Sequence, residues 1–255
     1  MMYRSTVFNL IQTLTLIGVI YVNYLANSLP INGMTTGALS GLYPNYFVPA
    51  GFTFSIWGII YLLLIVYVVG SWKRAQSLQT AEDTSRYLWF VVAGFANAGW
   101  IFAWHYRWVW ISVAVMVVLL LSLIRLYVLT RSAAWYLRLP MSIYLGWITV
   151  ALIANITALL VHLDVSVGVL WEPFWAIVMM SVAVILTTLL RFKFNDPWYQ
   201  AVTLWAIFGI YMKFSSSGLQ GASAMKIAGL VLMFFIALSL VWPVIRKWSK
   251  LSKPQ

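Results

Sequence analysis

The 255-residue chain has no cysteine. That excludes disulfides, thiolate nucleophiles, cysteine-bound zinc and iron–sulfur clusters. Charge is nearly as scarce: 8% of the residues are charged, against about 25% in a soluble domain. Acids are scarcest. The five are Glu82, Asp83, Asp164, Glu172 and Asp196, each at the end of an apolar run or in a connecting segment. None falls at mid-membrane depth, where ion-coupled transporters keep a carboxylate. General acid–base catalysis needs a titratable group set against its substrate, and none is visible at depth. His105 and His162 lie near the outer ends of their runs. With Asp164 they form a weak metal or haem-iron pattern, and hydrogen bonding to water or backbone is the favoured reading. No catalytic residue and no metal ligand is assigned.

What the chain has is apolar and aromatic. Hydrophobic residues make up 63% of it, and its mean hydropathy is +0.91. A soluble core cannot absorb that much apolar surface, whereas a helix crossing lipid needs about 20 such residues. Eight candidate spans lie near 7–27, 52–71, 88–105, 108–128, 139–162, 173–191, 199–214 and 226–245, the seventh of them short. The fold class is therefore all-α, a polytopic membrane helical bundle of about eight transmembrane helices. The first span has Arg4 before it and small residues at Ala26 and Ser28. It is read as a retained helix because it is long for a signal peptide.

The net charge of +11 is sorted. With the N-terminus inside, only Arg107, Lys213 and Lys226 fall on outer segments, and every other Lys and Arg falls on inner ones. This is the positive-inside bias, and it places both termini in the cytoplasm of a plasma membrane, bacterial on this reading. Nucleic acid is excluded as a partner, because the cations flank spans instead of forming a stripe. Anionic inner-leaflet lipid accounts for them. Segment 73–86, polar and mixed in sign, reads as a solvated linker. The outer loop 28–50 is uncharged and carries Leu42, Tyr43, Tyr46 and Phe47. It either folds back over the bundle or anchors at the interface. Lys213 has no buried counter-ion, so a retinal Schiff base is rejected.

Aromatic residues make up 17% of the chain. Many belong at the water–lipid interface. Others form stripes, because residues three or four apart share a helix face. Trp57 and Tyr61 make one stripe, Asn97, Trp100 and Trp104 a second, and Trp147, Ala151 and Asn155 a third. At about 1.5 Å per residue, the alternating helices bring these residues to one level in the outer half of the bilayer, with Trp147 slightly deeper. Flat rings, two amides and the small Ala151 make either a slot for a large planar ligand or a helix–helix contact in which Asn97 and Asn155 bond each other.

At these residues the chain resembles the TspO family, also called translocator protein, peripheral benzodiazepine receptor or tryptophan-rich sensory protein. Its second-helix pattern is matched by Pro49, Trp57, Gly58 and Tyr61, its third-helix Asn-x-x-Trp by Asn97 and Trp100. Its fifth-helix Tyr-Leu-x-Trp, with Ala and Asn beyond, is matched by Tyr144, Leu145, Trp147, Ala151 and Asn155. The match covers roughly residues 5–162. Ala50 replaces the second of the family's paired prolines, and Ile143 stands where the family has proline. The aromatic early in the fourth helix is Trp108 or Trp110. Three spans follow that the five-helix family lacks. The expected organisation is a TspO-like five-helix bundle, residues 1–165, with three additional transmembrane helices in 166–255.

The resemblance implies a receptor or carrier for a porphyrin, haem-like tetrapyrrole or sterol. Its ligand-binding residues are then Pro49, Phe54, Trp57, Tyr61, Asn97, Trp100, Trp104, Trp110, Tyr144, Trp147, Ala151 and Asn155. Porphyrin or haem enters as ligand, and no cofactor is required. The expected partners are the hydrophobic small molecule and membrane lipid, with a homodimer or another membrane protein as further candidates. The alternatives are a membrane enzyme that degrades or modifies a porphyrin or isoprenoid, which would use tryptophan radical or light-driven chemistry, and an assembly partner of another membrane protein. Binding is favoured over turnover.

Overall fold

The structure is a computed structural model that describes residues 2–74, 81–165 and 171–251. The linker residues 75–80, the expected domain junction at 166 and the inner cation Lys253 lie outside the described residues, as do the side chains of 2–5 and 243–251. Nine α-helices are described, with no strand among the described residues. They are α1 (Met2–Ser28), α2 (Thr36–Ser40), α3 (Ile56–Arg74), α4 (Ala81–His105), α5 (Val109–Thr130), α6 (Trp135–His162), α7 (Glu172–Phe194), α8 (Pro197–Ser215) and α9 (Ala222–Leu251).

Seven segments are long and apolar enough to cross a membrane, namely α1, Gly51–Arg74, α4, α5, α6, α7 and Ala222–Trp242 of α9. The remaining apolar run, 199–214, forms α8, which lies outside that group. The start of α4 corrects the linker reading of 73–86. Residues 81–86 are helical, and Asp83 and Arg86 are buried. Arg86 contacts the carboxylate of Asp83, Arg74 Nε donates to the same Asp83 oxygen at 3.2 Å, and Glu82 lies 3.7 Å from Arg86. A buried charge survives only when it is paired, and the polarity of this segment serves that pairing.

The chain packs as two compact units. The first comprises residues 1–45 and 54–166. In it α4 packs on α1 and α5, α5 on α6, α6 on α3, and α3 on α1, which closes a ring of five helices. Its core includes Ile60, Leu64 and Tyr67 of α3, Met116, Leu119 and Leu123 of α5, and Met141 and Ile148 of α6. Gly70 brings α3 close to α6: a Cβ there would collide with the ring of Tyr136. The α4–α5 turn is tight, with Arg107 left-handed at φ 58°.

The second unit comprises residues 46–53 and 167–255. Its α7, α8 and α9 each pack on the other two. Val184, Ile207 and Ile236, one from each helix, form its centre. Asn195 ends α7 at φ 50°, and the next residue, Asp196, caps α8 by accepting from Trp198 N at 3.0 Å ahead of Pro197. A carboxylate cap followed by proline is a strong helix start. Segment 46–53 packs here along α8. Ala50 N donates to Gly209 O at 3.1 Å, Trp205 Nε1 to Thr53 O at 2.9 Å and Lys213 Nζ to Val48 O at 3.0 Å. Tyr46 stacks on Phe214 with ring centres 5.3 Å apart. The outer loop therefore folds back onto protein at both Tyr43, buried in the first unit, and Phe47, buried in the second.

Candidate functional site

The aromatic stripes of α3, α4 and α6 meet inside the first unit, around Trp57. Its ring stacks on Tyr61 at 5.8 Å and on Trp100 at 6.0 Å. Tyr144 and Trp147 meet it edge-on at 6.0 and 6.4 Å. Trp100 in turn stacks on Trp104 at 6.4 Å, and Phe54 meets Trp147 at 6.0 Å. Trp100, Trp104, Tyr144 and Trp147 are buried, while Trp57, Tyr61, Phe54 and Ala151 are half-buried. Aromatic pairs in these offset and edge-on geometries each add about 0.5–1.5 kcal/mol beyond their buried area.

Two hydrogen-bonded networks frame the rings. Asn23 Nδ2 donates to Asn97 Oδ1 at 2.8 Å, and Asn97 Nδ2 donates to Tyr144 Oη at 2.9 Å. Trp100 Nε1 donates to Asn155 Oδ1 at 2.9 Å, and Asn155 Nδ2 donates to Ser112 Oγ at 2.8 Å. The two amides thus bond separate partners and not each other. Two polar groups among the rings have no partner at all: the hydroxyl of Tyr61 and the indole Nε1 of Trp147, both shielded from solvent. A buried donor left unpaired costs about 1–3 kcal/mol.

A family model described as TSPO-like protein matches residues 9–242. The chain belongs to that family. No curated protein and no solved structure matches it. The TSPO-like match runs past residue 162, where the recognisable motifs stop, and takes in α7, α8 and most of α9. The three later helices are therefore within the matched region.

Two of the residues singled out from the sequence are not among the rings described above. Trp110 is 66% exposed on α5, as its neighbour Trp108 is at 53%, so both present their rings to the surroundings. Pro49 belongs to the second unit, where its Cβ lies beside Gly209. Four contributors lie outside the expected ligand-binding set: Asn23, Ser112, Thr36 and Tyr43, the last expected only as part of a loop folding back over the bundle. Asn23 and Ser112 are buried polar residues in apolar spans, and that is the signal that points to them. Thr36 and Tyr43 cap the site from the outer loop. Trp104 Nε1 donates to Thr36 O at 3.3 Å, and Tyr43 lies 5.6 Å from Trp104 and 6.1 Å from His162, ring to ring. Burial pushes the Tyr43 phenol up, against a smaller opposing pull from Arg107.

His105 fastens the same cap. Its Nδ1 lies 2.9 Å from Ile31 O and its Nε2 3.1 Å from Thr36 Oγ1, while its own carbonyl accepts from Asn32 Nδ2 at 2.9 Å. With both ring nitrogens engaged by the loop, His105 holds structure in place. Among the described residues no group of three metal-ligating side chains occurs.

The asparagine network makes a stability prediction. Asn97→Leu leaves the Tyr144 hydroxyl without its amide donor and takes one of two acceptors from Asn23 Nδ2, which keeps Val19 O at 2.9 Å, and is expected to cost about 1–3 kcal/mol. Thermal unfolding in detergent checks this: melting within error of the wild type would show that the network is idle.

Proposed function

We propose that the ring cluster of this TSPO-like protein binds a flat, largely apolar ligand that carries a hydrogen-bond acceptor, with tetrapyrroles as the first class to test and sterols as the second. The observation that carries this reading is the pair of unpartnered groups, Tyr61 Oη and Trp147 Nε1, among rings contributed by three helices. A protein that only cements helices has no use for unpaired donors in an apolar site. A ligand carboxylate, carbonyl or hydroxyl satisfies them, while its flat body stacks on indole faces. The rings touch one another, so a ligand enters by parting them. Trp57, half-buried and in contact with four rings, is the one that moves. Asn97 and Asn155, engaged within the protein, hold Tyr144 and Trp100 at fixed angles for that contact.

The protein serves as a receptor or carrier in a bacterial plasma membrane. The cation sorting supports eight crossings, α8 included, with both termini in the cytoplasm. Association with a second copy or with another membrane protein is compatible with this role.

Quenching of tryptophan fluorescence by protoporphyrin tests the reading. Trp147→Phe keeps the ring and removes the donor, and is expected to weaken binding about tenfold, the worth of one hydrogen bond. Tyr61→Phe is expected to act in the same direction. Trp135→Phe, exposed at the start of α6, should leave the affinity unchanged. Equal affinity for wild type, Trp147→Phe and Tyr61→Phe would refute the site.

A further inference from the structure

A groove of about 590 Å³ runs between α7 and α9 in the second unit. Val184, Leu189 and Phe192 form one wall, and Leu232, Phe235 and Trp242 the other. Several of these side chains are more than half exposed, so the groove opens outward from its unit. Apolar surface alone does not select an occupant in lipid. The end of this groove does.

Two cations continue the rows of side chains that line it. Arg191 stands three residues after Thr188 and Lys193 four after Leu189, and residues at these spacings share a helix face. Arg191 is 7% exposed, and its only described bond runs from Nη1 to Asn195 Oδ1 at 2.7 Å. Its Nε is buried and has no partner. Thr188, on the groove wall above it, is held by Gln200 Nε2 at 2.9 Å, which fixes this end of α7 to α8. Lys193 is exposed. The described acids nearest in sequence are Glu172, at the opposite end of α7, and Asp196, which caps α8. The groove is thus apolar along its length, with Arg191 and Lys193 just beyond its lining residues on α7 and the buried guanidinium Nε of Arg191 unfilled.

We propose that this groove is a binding site for an anionic phospholipid, with an acyl chain between α7 and α9 and the phosphate at Arg191 and Lys193. Basic pockets between transmembrane helices on the cytoplasmic side hold anionic headgroups. A guanidinium is the side chain best shaped for phosphate oxygens. The inner leaflet, where the cation sorting puts this end of α7, is also where anionic lipid is abundant. The groove belongs to the second unit and the ring cluster to the first.

Native mass spectrometry of the delipidated full chain, titrated with phosphatidylglycerol or phosphatidylcholine of matched tails, tests the proposal. Phosphatidylglycerol is expected to bind at least about fivefold more tightly, the effect of roughly one cation near a headgroup. Arg191→Gln with Lys193→Gln should bring it to the phosphatidylcholine level. Lys193→Gln alone, at an exposed position that tolerates change, should lower the preference about twofold. Leu189→Trp, which fills the groove, should weaken phosphatidylglycerol binding without touching a cation. Millimolar inorganic phosphate should leave bound lipid in place. Equal affinity for the two lipids, an unchanged preference in the folded variants, displacement by free phosphate, or occupation of the groove by a second copy of the chain would each overturn the proposal.

Discussion

Arg86→Leu is expected to be the most damaging single substitution, with a loss of about 3–5 kcal/mol, the usual result of breaking a buried ion pair from one side. Arg86 and Asp83 are both nearly inaccessible, and Arg86 Nη1 also reaches Leu129 O at 3.4 Å, which ties the start of α4 to the end of α5. With Arg86 gone, Asp83 still faces Arg74 at 3.2 Å, but that side chain is 42% exposed and compensates poorly. In a domain of this size the loss corresponds to a fall of roughly 6–20 °C in Tm. Thermal unfolding in detergent measures it. The double variant Asp83→Leu, Arg86→Leu removes both charges and should recover much of the loss, because an ion pair in a dry site is worth little more than packed apolar groups. A double variant less stable than Arg86→Leu alone would refute this account.

The second large effect is expected at Gly209. A side chain there would collide with Thr53, and its Cβ would sit 3.0 Å from that of Pro49. Gly209→Val is expected to cost about 1–3 kcal/mol by overpacking and to detach segment 46–53 from α8. Protease sensitivity near residue 50 would rise as melting falls. Thr53→Ala should restore most of the stability of the milder Gly209→Ala variant, since the Thr53 hydroxyl is buried without a partner and little is lost with it. Gly218→Val, which meets nothing within 4 Å, is the control. Equal melting of the Gly209 and Gly218 variants would show that the segment is not held where it lies.

The helices of the first unit could be read from the sequence because lipid imposes a length and an apolarity that few other folds need. Which side chains share a face was legible too. Spacing alone put Asn97 with Trp100 and Trp147 with Ala151 and Asn155. The partners across helices were not legible. Asn23 meets Asn97 and Ser112 meets Asn155 through packing between residues far apart in the chain, and helical periodicity carries no information about that. The same limit hid the two unfilled donors of the cluster, Tyr61 and Trp147. The start of α4 was misjudged because charge signals solvent unless the charges can find one another, as Asp83 and Arg86 do. Segment 46–53 was harder still. Its proline, glycine and aromatic residues describe a turn-rich loop, and nothing local says that its hydrogen bonds go to α8, some 150 residues later.

The chain leaves the first unit after residue 45, visits the second for eight residues, and returns at Phe54 before it departs for good near residue 166. A gene shortened to its five-helix portion would therefore not release a finished smaller protein. It would leave a strip of main chain orphaned ahead of α3, with the amide of Ala50 and the carbonyl of Thr53 cut off from Gly209 and Trp205 of α8. The interlacing makes the two halves of this molecule inherit or lose their integrity together.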